Sequence, residues 1–71
     1  MTMTSIERQY VVHDPEGVGW LVTVDLDGTV AYREPTSETY RWSDEDDIVS
    51  GIEDGSVNDE QWLYDHHEVT L

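Results

Sequence analysis

Hydrophobic and polar residues alternate through positions 20–32 (WLVTVDLDGTVAY) with the two-residue period of a half-buried strand, interrupted once by Asp27-Gly28. A loop of Leu26, Asp27 and Gly28, with Gly28 at positive φ, sets Val24 opposite Val30 and Val22 opposite Tyr32. Trp20 continues that side, while Leu21, Thr23, Asp25, Thr29, Ala31 and Arg33 take the other. A shorter Asp27-Gly28 loop pairs Val22 with Arg33 and Val24 with Ala31, which mixes the faces. A slip of one residue turns every side chain over, so the pattern selects the first register.

The same period extends outward. Residues 8–13 read as a strand, 14–17 (DPEG) as a turn, 18–25 and 29–34 as the two arms of the hairpin. Pairing Val12 with Trp20 brings Tyr10 opposite Val22, on the side already chosen for burial. Residues 39–42 make a short strand with Tyr40 and Trp42 on one face. Ser43 then fits a helix N-cap, with Asp44, Glu45, Asp46 and Asp47 in the first turn, where the helix dipole favours acids. Ile48, Val49 and Ile52 give that helix an apolar stripe, and Gly55 a stop. Gly51 weakens it by roughly 1 kcal/mol relative to alanine, so it must dock on the sheet to persist.

The tail fits two forms. Asn58 with Gln61 three residues later matches a capping box for a second helix. Residues 61–71 also fit a long strand, with Trp62 and Tyr64 on one side and a β-rich Val69-Thr70-Leu71 end, and the strand is favoured. The expected fold is α+β: an antiparallel meander of three to four strands, one short acidic helix packed on one face, and a C-terminal strand. Met1–Leu71 form a single domain with residues 1–5 frayed.

Charge changes this picture most. Seventeen Asp and Glu oppose three Arg and no Lys, for a net charge of −14. Such a chain repels nucleic acid and anionic membranes and attracts basic protein surfaces. It has no cysteine, so no disulfide supports its small core. The N-terminus lacks the basic and apolar regions of a signal peptide, and the longest apolar run, 17–24, is too short to cross a bilayer. The expected location is the cytoplasm.

Candidate chemistry adds little. Asp25-Leu26-Asp27-Gly28-Thr29 resembles the first motif of haloacid-dehalogenase-type phosphatases, in which the first Asp is the nucleophile and the second the general acid. That family sets the motif after a parallel strand in a larger domain and supplies a later Lys. This chain has neither, and turn chemistry accounts for the residues. The same stretch lacks the later ligands of a calcium-binding EF-hand. His13 with His66 or His67 could ligate zinc, though adjacent histidines on a strand face opposite ways. Ser43, His66 and Asp65 supply the residue types of a triad without a nucleophile elbow or oxyanion hole. No catalytic residue, cofactor or metal site is therefore expected.

The expected role is a non-enzymatic protein-binding module. Its acidic face comprises Asp44, Glu45, Asp47, Glu53, Asp54, Asp59 and Glu60, with Trp42 and Trp62 as aromatic anchors. The partner is a basic protein surface, a larger assembly or a second copy. Two readings of the charge stand: adaptation to high salt, where the Debye length shrinks to about 3 Å at 1 M, and imitation of a nucleic-acid backbone. The second describes a small inhibitor, of the phage or mobile-element kind, acting on a nuclease or another DNA- or RNA-binding protein.

Overall fold

The computed structural model describes residues 6–67. The frayed start expected at 1–5 and the Val69-Thr70-Leu71 end of the expected tail strand lie outside them. Four antiparallel strands, β1 (Ile6–His13), β2 (Gly19–Asp25), β3 (Val30–Arg33) and β4 (Tyr40–Trp42), form one sheet in sequential order. Helix α1 (Glu45–Glu53), a 3₁₀ turn (Ser56–Asn58) and helix α2 (Glu60–Asp65) follow. The domain is α+β with a four-strand meander, as the alternation predicts.

The register is the one that buries a single face. Val24 pairs with Val30, Val22 with Tyr32, Tyr10 with Val22 and Val12 with Trp20. The hairpin closes through Gly28 N–H to the Asp25 carbonyl (3.0 Å) and Asp25 N–H to the Thr29 carbonyl (2.9 Å). Gly28 sits at φ 93°, a left-handed value that glycine adopts without a Cβ penalty. Trp20, Val22, Val24, Val30 and Tyr32 are all buried, joined by Ile48 and Ile52 from α1 and Val57 from the 3₁₀ turn. Trp20 and Tyr32 lie 6.2 Å apart, centroid to centroid, at the centre of this core.

Asp14, in the first turn, is buried and organises one end of the molecule. Its carboxylate accepts from the backbone N–H groups of Glu16 and Val18 (2.9 Å each), the Trp20 indole (3.3 Å) and the Asn58 side chain (3.3 Å). Burial raises its pKa, but these four donors outweigh that and leave it lowered. One carboxylate thus ties the β1–β2 turn to a core tryptophan and to the 3₁₀ turn.

Two expectations are corrected. The N-cap of α1 is Asp44, one residue after Ser43: its extended backbone (φ −129°, ψ 108°) lets its carboxylate accept from Asp46 and Asp47 N–H. Asp and Ser cap almost equally well, and the later start lets Glu45 reach β1. The tail is a helix over residues 60–65, capped by Asp59, rather than a strand. The reason is a contact distant in sequence. The Trp62 ring fills the notch above Gly51, where an added Cβ would collide with its Cζ2. The sheet edge at β4 is only three residues long and offers a further strand little to pair with.

Candidate functional site

The acidic layer is built on α1, the 3₁₀ turn and α2. Between Asp44 and Asp65 the chain carries nine Asp and Glu and no Arg or Lys. Ile48, Gly51 and Ile52 face the sheet, which turns Asp46, Asp47, Ser50 and Glu53 to solvent. Of the seven acids expected to form the face, six fall into two groups. Asp44, Asp54 and Asp59 are exposed but each accepts backbone N–H groups at a helix or turn start: Asp46 and Asp47, Ser56, and Gln61, respectively. Bonds from the Ser56 hydroxyl and its N–H lower the Asp54 pKa. Asp47, Glu53 and Glu60 are exposed and their carboxylates accept no hydrogen bond among the described residues.

Glu45 stands apart. It is half-buried, its carboxylate taking hydrogen bonds from the Tyr10 hydroxyl and the Arg8 guanidinium on β1. These bonds, Tyr10 first and then Arg8, lower its pKa. Burial, followed by the same bond to Glu45, pushes the Tyr10 phenol up to about 12. Glu45 therefore fastens α1 to the sheet and is already neutralised by Arg8, which also meets Glu7 at 2.6 Å.

The two tryptophans are half-buried and packed against the core. Trp62 stacks on His66 at 4.0 Å and meets Tyr32 edge-on at 6.5 Å. Trp42 flanks His66 at 5.3 Å, and its indole N–H is buried without an acceptor. Both line the joint between α2 and the sheet. The exposed aromatic is instead Tyr64, 70% accessible, which a helical reading of the tail would have turned outward.

The arginines are segregated as well. Arg33 and Arg41 lie on the outer face of the sheet, opposite Leu21 and Ala31 respectively. Neither makes an ion pair among the described residues. They border a shallow groove of about 370 Å³ with Leu21, Thr23 and Asp25.

Chemistry is sparse. Among the described residues no three His, Asp or Glu side chains gather as a metal site, and no helix is long and apolar enough to cross a membrane. The His66 Nδ1 lies 2.8 Å from the Trp62 carbonyl, in a ring sandwich rather than beside a nucleophile. Asp27 of the phosphatase-like stretch accepts Thr29 N–H at 2.9 Å, the bond of an Asx turn, and that bond lowers its pKa. The fold and surface define a class, a small acidic α+β domain with helices on one face of a meander. No protein family, curated protein or solved structure matches the chain.

Proposed function

We propose that this chain is a non-catalytic protein-binding module that presents its acidic helical layer to a basic partner. The observation that carries the reading is segregation of charge: nine acids and no base on the helical layer, with Arg33 and Arg41 on the opposite face. An array held in this way steers a basic surface and fixes its orientation. Asp44, Asp54 and Asp59 are pinned by their capping bonds, so they lose little freedom on binding. Asp47, Glu53 and Glu60 supply unengaged acceptors beside them. A coat of acids serving only hydration in high salt has no reason to leave the centre of the outer sheet face to Arg33 and Arg41.

The test is calorimetric titration with a nonaarginine peptide at rising potassium chloride. Neutralising Asp47 and Glu53 (D47N/E53Q) is expected to weaken binding several-fold more than neutralising Glu16 and Asp25 (E16Q/D25N), which removes the same charge elsewhere. Equal losses would mean that net charge alone attracts the peptide, and the reading fails. Circular dichroism against salt bears on adaptation: a cooperative melt in dilute buffer opposes an obligate need for salt.

A further inference from the structure

A second groove, of about 390 Å³, runs between the β3–β4 connection and α2. Glu60, Leu63 and Tyr64, at the i, i+3, i+4 spacing of one face of α2, and His67 just past its end line one wall, and Glu38 and Tyr40 line the other. Tyr64 is 70% exposed, a large ring that contributes little to the core. The Tyr40 ring is half-buried and braced edge-on by His67 at 5.3 Å. The Glu38 and Glu60 carboxylates accept no hydrogen bond and make no ion pair among the described residues, and no arginine or lysine lines the groove. The Tyr40 hydroxyl registers this local charge. Burial raises its pKa, and Glu38, Glu34 and Glu60 raise it further.

Two phenol rings and two uncommitted carboxylates around a small groove match one side chain in particular. A guanidinium is planar, stacks on aromatic faces, donates in a fork to carboxylates and is more weakly hydrated than an ammonium. We propose that this groove receives an arginine side chain of the partner protein, held between Tyr40 and Tyr64 with Glu38 and Glu60 as its acceptors. The proposal rests on the protein-binding reading and gives it a specific anchor point. The capped acids of the helical layer attract and orient a basic surface, and the groove selects one residue on it.

The test uses the full chain, labelled with nitrogen-15, titrated with N-acetyl-arginine amide and, separately, with the neutral isostere N-acetyl-citrulline amide. Arginine amide is expected to shift the amide resonances of Tyr40, Leu63, Tyr64 and His67 saturably, whereas citrulline amide leaves them in place. Tyr64→Ala removes an exposed ring and leaves the core intact; it is expected to weaken arginine binding by about threefold. Glu38→Gln/Glu60→Gln keeps the shape of the groove and is expected to abolish the preference over citrulline. Equal shifts with citrulline, shifts spread evenly over α1 and the turns, or unchanged affinity in Tyr64→Ala would each overturn the proposal. Nonaarginine binding that is lost in D47N/E53Q but unchanged in Tyr64→Ala would remove the groove and leave the acidic face standing.

Discussion

Trp20 and Leu21 are neighbours on β2, and they live in different solvents. Trp20 is 2% exposed and touches the core, whereas Leu21 faces the open side of the sheet among Thr23, Ala31, Arg33 and Arg41. The same contrast separates two acids. Asp14 is enclosed by four donors, while Asp25 lies at the end of β2 on the open face. A single layer of strands thus divides the molecule into a dry side carrying the acidic helices and a wet side carrying Arg33 and Arg41. The lesson is that the net charge of −14 describes neither side well.

Mutations can break this comparison at several strengths. The largest effect is expected from Trp20→Ala, at about 3–5 kcal/mol of stability, against under about 1 kcal/mol for Leu21→Ala. Urea denaturation of both variants checks the ratio, and comparable losses would mean that the two faces are equally packed. Asp14→Ala comes next, because it strands the Trp20 indole, the Asn58 amide and two backbone N–H groups. Its thermal midpoint should fall by on the order of 10 °C, with little change in Asp25→Ala. Gly51→Ala follows: the new methyl strikes the Trp62 ring, a clash of about 1–3 kcal/mol that outweighs the better helix propensity of alanine.

Acid provides a finer probe. The Asp14 pKa is lowered by folding, so its contribution is present above the ordinary carboxylate value of 3.8 and is lost as pH falls through the folded value. Glu45, Asp27 and Asp54 act in the same direction. Melting of wild type and Asp14→Ala should therefore converge below pH 3.8, and a constant gap between them would refute a role for the charge. The smallest effect is expected from Arg33→Gln/Arg41→Gln. It should leave the melt almost unchanged, since neither residue has an ion-pair partner among the described residues.

The sheet was legible in the sequence because strict alternation and Gly28 admit only one register that buries Trp20, Val22 and Tyr32 together. The cap of α1 falls one residue beyond Ser43 because Ser43 and Asp44 suit the position equally on local chemistry, and Glu45's reach to Arg8 and Tyr10 on β1 favours Asp44. The tail departs from its local propensity for a different reason. Trp, Tyr, Val and Thr favour strands, and the contact that makes residues 60–65 helical joins Trp62 to a glycine eleven positions earlier. Most of the acidic face could be read as a run of charges. The groove could not, because Glu38 and Tyr40 meet Glu60 and Tyr64 only once α2 has docked.

The notch at Gly51 also makes one helix depend on the other. It is a gap between turns of α1 and does not exist until that helix has wound. Trp62 has no seat on an unwound α1, so a substitution that unwinds this helix is expected to release α2 as well. The groove between α2 and the β3–β4 connection depends on the same contact and is expected to be lost with it.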